Sequence, residues 1–299
     1  MAERRNHLAA HPRSYLGVTR APEDGGGPAS AEDALAAGRR ALEELLADDA
    51  FAPADGPTYF VYRLIDGDHQ QSGLVCGVAT TDYDTGVVRI HEQINRARSE
   101  HLARHLRVVG AQSSPIAMAF RSAPAVTAAI SATAENAAPF LDVSDERGLR
   151  QQLWRVPESA NEAITNALAA VPLYLIDGHH RAAAASSDLR HVGGDPEEHQ
   201  MLSVLFPCEE LRNQAFHRVI AGLDHRQLID NLAERFTVRI PTDLGQVVGR
   251  APTEVALAVP AATQGAQPIW RLIDIPFDHP QPDALQNICL LYTSDAADD

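Results

Sequence analysis

One stretch decides the fold of this 299-residue chain: Leu173-Tyr174-Leu175-Ile176-Asp177-Gly178-His179-His180-Arg181, followed by an alanine run at 182–185. The four apolar residues predict a strand, Asp-Gly predicts a turn, and the alanines predict a helix that begins near the histidines. The first N–H groups of a helix have no partner within the helix, and its dipole is positive there. The stretch therefore predicts a site for anions, phosphate above all, at the end of a strand.

The residues of this turn can do the chemistry that a phosphate site needs. Gly178 permits a sharp turn and the close approach of a ligand. Arg181 can bind a phosphate through two N–H groups, and His179 and His180 can donate to phosphoryl oxygens or move a proton. Asp177, at the strand end, can hold Mg²⁺ or accept a hydroxyl proton. The alternative is that Asp177 caps the helix and the histidines are incidental.

Two adjacent histidines raise the question of a transition metal. Neighbouring residues on a helix point about 100° apart, and His179 and His180 lack the i, i+4 spacing of paired helical ligands. We therefore expect no metal site. Metal-dependent hydrolysis through His91, Glu92 and this histidine pair is the weaker alternative.

Two further pairs of residues are candidates for the site. His91 and Glu92 close an apolar strand, where active-site residues tend to project, and we take His91 as a candidate for substrate binding. His217 and Arg218 are basic residues inside an apolar frame. They are candidates for substrate binding as well, although an edge strand explains them equally well. The Arg- and His-rich helix that follows Glu92 is by default a solvated, salt-bridged face.

Composition excludes several classes of function. The net charge is −15, the acidic residues are spread along the chain, and all 25 basic residues are arginines. A nucleic-acid-binding face needs clustered basic residues. No apolar run reaches membrane-spanning length, and the N-terminus lacks an apolar signal segment. Cys76 and Cys208 lie singly in apolar runs, as buried free thiols do in a reducing compartment. We expect a cytoplasmic protein that binds neither nucleic acid nor membranes.

Hydrophobic periodicity predicts a mixed α/β fold, α+β in organisation, with two regions and a tail. Residues 1–157 form an N-terminal α/β region with antiparallel strands, and residues 158–287 carry the opening motif. Residues 288–299 resemble the translation of a sequencing adapter, and we expect this tail to be non-native.

Four predictions concern individual strands. Residues 59–65 and 72–80 are expected to pair in antiparallel fashion around an Asp-Gly turn. Residues 14–20 alternate as a short strand. Residues 201–206 are expected to pair in parallel with residues 173–176, because strand–helix–strand units usually do so.

The order of short motifs resembles the family named for domain of unknown function number 1015. The matching segments are His11-Pro12-Arg13-Ser14-Tyr15-Leu16, Tyr59-Phe60-Val61-Tyr62-Arg63, Gly73-Leu74-Val75-Cys76-Gly77, His91-Glu92, Ser114-Pro115-Ile116, Leu153-Trp154 and Tyr174 to Arg181. They cover nearly all of residues 6–287. Members of that family usually begin with a segment containing a Pro-Pro-Tyr-Asp-like motif, which is absent here. We therefore expect a chain that is clipped at both ends.

The Gly178-His179-His180-Arg181 element is also similar to the Gly-x-x-Arg box of the ParB/sulfiredoxin-like fold. In that fold a strand–turn–helix binds the phosphates of a nucleotide. Sulfiredoxin needs a cysteine in its box, where this chain has histidines. The DNA-binding domain of ParB-type proteins does not suit so acidic a chain. The resemblance thus implies a small-molecule kinase or a nucleotide hydrolase, with a nucleotide or other small molecule as ligand and with ATP or ADP and Mg²⁺ as its cofactors.

That resemblance also implies roles for individual residues. Gly178, His179 and Arg181 would bind phosphate. Asp177 and His180 would be catalytic, and Glu92 is the third catalytic candidate. The alternative is a non-catalytic ligand-binding or scaffold protein with the same pocket.

Overall fold

The structure is a computed structural model, and it describes the following residues: 2–19, 30–48, 50–51, 54–92, 94–192, 199–212, 222, 224–248, 254–259 and 268–275. The chain divides into two compact units, Met1–Arg212 and Asn213–Asp299. The boundary predicted at residue 157 falls inside the first unit, where residues on both sides of it contribute strands to one sheet. The tail at 288–299 lies outside the described residues.

A mixed sheet of eight strands organises the described part of the first unit. In chain order the strands are β1 (Phe60–Asp66), β2 (His69–Ala79), β3 (Val88–Arg89), β4 (Ile116–Phe120), β5 (Leu141–Ser144), β6 (Arg150–Arg155), β7 (Leu173–Asp177) and β8 (Gln200–Pro207). Their spatial order is β3-β7-β4-β8-β2-β1-β6-β5. The predicted mixed α/β class is confirmed, and so is the antiparallel pairing of β1 with β2.

The helices of this unit are α1 (Ala2–Ala10), α2 (Ala31–Ala47), α3 (Thr80–Thr85), α4 (Arg96–Val109), α5 (Pro124–Asn136), α6 (Asn161–Leu168) and α7 (His179–Val192). Apolar side chains of the central strands fill the core, among them Leu74, Met118 and Leu175, which have no exposed surface. Val126 and Ile130 of α5 pack into the same cluster. No helix of the described residues combines the length and the apolar character that crossing a bilayer requires.

The predicted parallel pairing of β8 with β7 is wrong, because β4 lies between them. β4 is antiparallel to β7 and parallel to β8. Ile116, Met118 and Phe120 of β4 are each at most 1% exposed. A strand this apolar is most stable in the middle of a sheet, where both of its faces are covered.

The short strand predicted at 14–20 is also wrong. Tyr15–Gly17 forms a 3-10 helix, and the side chain of Ser14 caps it by accepting a hydrogen bond from the N–H of Leu16. A local side-chain hydrogen bond of this kind competes with strand formation.

The elements in the described part of the second unit are α8 (His225–Ala233), β9 (Thr237–Arg239), α9 (Leu244–Val248), β10 (Glu254–Val259) and β11 (Ile269–Asp274). The three strands form an antiparallel sheet in the order β10-β11-β9. Asp224 caps α8 by accepting from the N–H groups of Arg226 and Gln227. His217 and Arg218, the predicted substrate-binding pair, lie outside the described residues.

Candidate functional site

The candidate site lies where strands β3 and β7 end. The two strands are parallel, with Val88 opposite Leu173 and Arg89 opposite Tyr174. Parallel strands end at the same edge of a sheet, and ligands of α/β proteins bind at such edges. His91 and Glu92 follow β3, and the turn at Gly178 follows β7. The topology therefore brings together two segments that are far apart in the sequence.

The end of β7 is shaped by an irregularity and by one glycine. The register with β4 shifts between Ala117 and Met118, opposite the last residues of β7. Gly178 then has a φ of +92°, which L side chains rarely adopt. Its carbonyl accepts from the N–H of Ala182 at 2.9 Å, and so it starts α7. The chain thereby turns from strand to helix at a single residue.

Arg181 is folded back against this turn. Its Nη2 donates to Asp177 Oδ2 at 2.6 Å, and its Nη1 donates to Ser114 Oγ at 2.7 Å. Its Nε is buried and has no hydrogen-bond partner within the described residues. A Cβ atom on Gly178 would lie 2.8 Å from Nη2 of Arg181. The guanidinium is thus held in one orientation, while the Asp177 side chain is 54% exposed.

His91, Glu92 and His179 form a compact cluster beside the turn. The two imidazole rings pack edge to face, with centroids 4.3 Å apart and an angle of 89° between the planes. Nδ1 of His179 lies 3.3 Å from Glu92 Oε2. One nitrogen or oxygen of each residue lies within 4.8 Å of the other two. Three groups that transfer protons or bind metals therefore meet at one point.

Burial controls the charge of both imidazoles in this cluster. Burial, with His91 and His180 as further causes, lowers the pKa of His179 to about 3. Burial also lowers the pKa of His91, while Glu92 and a backbone hydrogen bond at Leu175 act in the opposite direction. His179 is therefore neutral at pH 7, and one of its ring nitrogens keeps a lone pair.

His180 points to a different partner. Its Nε2 accepts a hydrogen bond of 2.9 Å from the backbone N–H of Asn95. Asn95 caps α4 by accepting from the N–H groups of Ala97 and Arg98. His180 therefore connects the beginning of α7 with the beginning of α4. The catalytic role predicted for His180 stays a prediction.

The structure thus brings seven of the predicted site residues to one edge of the sheet: His91, Glu92, Asp177, Gly178, His179, His180 and Arg181. Sequence reasoning did not assign Ser114 to the site, nor Asn95. Both contact the site through single hydrogen bonds to residues distant in the chain. Ser114 stands in one of the segments that resemble the family, and this is a signal that could have marked it, whereas no such segment contains Asn95.

The chain is a mixed α/β protein that places a Gly-His-His-Arg turn at the end of a parallel strand pair. It belongs to the family described as "Protein of unknown function (DUF1015)", whose profile matches residues 1–295. Searches of the curated proteins and of the solved structures each found no match.

Proposed function

We propose that this protein binds a phosphate-bearing small molecule, a nucleotide, at the beginning of α7, and that it is an enzyme of the small-molecule kinase or nucleotide-hydrolase type. The observation that supports this proposal best is the hydrogen bonding of the Arg181 guanidinium. Its guanidinium is oriented by Asp177 and Ser114, yet its buried Nε has no partner within the described residues. A phosphate oxygen is an acceptor that would satisfy this N–H once the side chain of Arg181 moves away from Gly178.

The N-terminal end of α7 also favours an anionic ligand beside Arg181. α7 is 14 residues long, so that its dipole is developed and its first N–H groups face the turn. The similarity of Gly178 to Arg181 to the phosphate-binding box of the ParB/sulfiredoxin-like fold points to the same ligand class. ATP or ADP with Mg²⁺ is the ligand we propose. The net charge of −15 supports small molecules, rather than nucleic acids, as partners.

In the proposed reaction a hydroxyl group or a water molecule attacks the terminal phosphorus, and the nucleotide leaves with one phosphate fewer. The proton of the attacking group passes to Glu92, which lies next to the turn. Asp177 supplies an exposed carboxylate for Mg²⁺. His180 would act by keeping the first turn of α7 in place.

Calorimetric titration of the full chain with MgATP and with MgADP tests this proposal. We expect binding by the wild type and a loss of at least about tenfold in affinity for Arg181→Ala, because charged hydrogen bonds contribute about 1.5–3 kcal/mol. Arg96→Ala is the matched control, because Arg96 is 92% exposed and pairs with Glu100 on the surface of α4. Absence of nucleotide binding by the wild type would refute the proposal.

The non-catalytic alternative makes a different prediction in the same experiment. A ligand-binding or scaffold protein would bind the nucleotide without releasing product, and Asp177→Asn would leave the affinity unchanged. An enzyme would release nucleoside diphosphate or phosphate, and Asp177→Asn would slow that release.

A further inference from the structure

We propose that His91, Glu92 and His179 bind one divalent transition-metal ion, with zinc as the best match. This site adds to the phosphate binding proposed above and does not depend on it. When the ion is bound, Glu92 coordinates it, and the exposed carboxylate of Asp177 is the group left to accept the proton of the attacking hydroxyl or water. The expectation that there is no metal site rests on the spacing of His179 and its neighbour His180. The structure instead pairs His179 with His91 and Glu92 from the end of another strand.

The spacing of the three side chains fits a metal better than it fits a hydrogen-bonded cluster. Nδ1 of His179 is 3.3 Å from Glu92 Oε2, whereas a charge-assisted N–H···O bond is about 2.7–2.9 Å long. Two ligands of a tetrahedral zinc ion, each about 2.1 Å from it, lie about 3.4 Å apart. His91 offers the third ligand atom within 4.8 Å, so that a small rotation of its ring completes the set.

The buried state of His179 also indicates a missing ligand. Its side chain is 4% exposed, and its Nε2 has no hydrogen-bond partner within the described residues. Its Nδ1 makes the contact with Glu92, which is longer than a normal hydrogen bond. A buried ring nitrogen with only a long contact costs stability, and an ion bound between Nδ1 and Glu92 would offset that cost at Nδ1 while Nε2 carries the ring proton.

His91 has the arrangement of a supported metal ligand. The backbone of Leu175 lies beside its ring, within hydrogen-bonding reach. Histidines that bind metals usually fix their second nitrogen on a carbonyl or carboxylate in this way. The strand that precedes His179 therefore orients His91.

Ligand chemistry selects the class of ion. Two imidazoles and one carboxylate suit zinc and similar transition metals, whereas Mg²⁺ and Ca²⁺ prefer oxygen ligands alone. Three protein ligands leave further coordination positions open. The positive end of the α7 dipole opposes a cation here, so that the negative charge of Glu92 has to balance it. Glu92 is thus expected to be the most sensitive of the three ligands.

The test is a zinc titration of the full chain after treatment with a chelator, in the absence of nucleotide and with a competing zinc indicator. We expect one tight site in the wild type. We expect at least about a 100-fold loss of zinc affinity for Glu92→Gln and for His91→Ala, because loss of a partner outside the ligand set already costs 10–100-fold. Both side chains are partly exposed, so these variants are expected to fold more readily than a variant of His179.

His101→Ala is the control, because His101 and His105 form an unrelated i, i+4 pair on α4. It should keep the tight site. Arg181→Ala should also keep zinc binding, even where nucleotide binding is lost. The proposal is overturned if the wild type has no tight site, or if Glu92→Gln and His91→Ala bind zinc as the wild type does. Unchanged nucleotide binding in that case would leave the proposed function standing.

Discussion

Nη1 of Arg107 in α4 lies 2.7 Å from Oδ1 of Asp188 in α7, and the Asp188 side chain is 3% exposed. This contact joins the two helices whose first turns flank the candidate site. A buried carboxylate is tolerated when a cation and hydrogen bonds compensate its lost hydration. Asp188 therefore depends on Arg107.

Arg107→Ala should lower the free energy of unfolding by about 2 kcal/mol, because it leaves the Asp188 carboxylate buried without its cation. Urea denaturation measures this loss. Arg39→Ala is the control, since Arg39 pairs with Glu43 where both side chains are more than half exposed. Its effect should stay below about 0.5 kcal/mol. Equal losses in the two variants would show that burial of Asp188 does not matter.

Gly178→Ala should lower both stability and nucleotide affinity. The alanine would have to keep the left-handed backbone conformation of Gly178. Its Cβ would lie 2.8–2.9 Å from the guanidinium nitrogens of Arg181. Gly110→Ala is the control, because Gly110 has a φ of +79° and open space around it. Each variant should lose about 1 kcal/mol from backbone strain. A loss of nucleotide affinity in Gly110→Ala as large as in Gly178→Ala would contradict the role given to Arg181.

The Cys76 thiol should make stability depend on alkaline pH. Burial raises its pKa from 9.0 to about 12. The folded thiol stays neutral while the unfolded one ionises, so the stability contribution is complete below pH 9 and is lost as the pH rises toward 12. The slope approaches about 1.4 kcal/mol per pH unit in this window.

Denaturation of the wild type and of Cys76→Ala across pH 8 to 11 measures this slope. The stability difference between them should shrink as the pH rises. Cys208→Ala is the control, because Cys208 is less buried than Cys76. A difference between the wild type and Cys76→Ala that does not change with pH would contradict the prediction.

Gly38→Ala should be destabilising, although alanine is the better helix former by about 1 kcal/mol. Gly38 is buried in α2, and a Cβ there would overlap the backbone carbonyl oxygen of Val18. Backbone cannot rotate away as a side chain can, so we expect a net loss of about 1–3 kcal/mol. Arg40→Ala, on the exposed face of α2, should change stability by less than about 0.5 kcal/mol. An increase in Tm for Gly38→Ala would contradict the overlap.

Local features of the fold could be predicted from the sequence, because their causes are local. The Asp66-Gly67 turn and the alternating residues around it predict the β1–β2 hairpin. The apolar run into Asp177-Gly178 predicts the strand, turn and helix at the site. These patterns are decided by neighbours within a few residues.

The arrangement of distant segments could not be predicted in this way. Nothing in the sequence near residue 116 shows that β4 lies between β7 and β8. The order of strands in a sheet depends on which whole strands are buried most favourably at its centre. The contacts of His179 with His91 and of His180 with Asn95 likewise follow from the parallel pairing of β3 with β7. A sequence pattern marks these side chains as candidates but does not say which of them meet.

Strand β3 has two residues and lies at the edge of the sheet, and it carries half of the candidate site. Among the described residues, β3 pairs with β7 over two residue pairs. So short an edge strand is expected to open locally at a lower free energy than the centre of the sheet. A ligand that contacts both the segment after β3 and the turn at Gly178 would hold this edge closed. Its binding free energy would then oppose local opening. Hydrogen exchange at the amides of residues 88–92 should therefore slow more on ligand binding than exchange at the amides in the centre of the sheet.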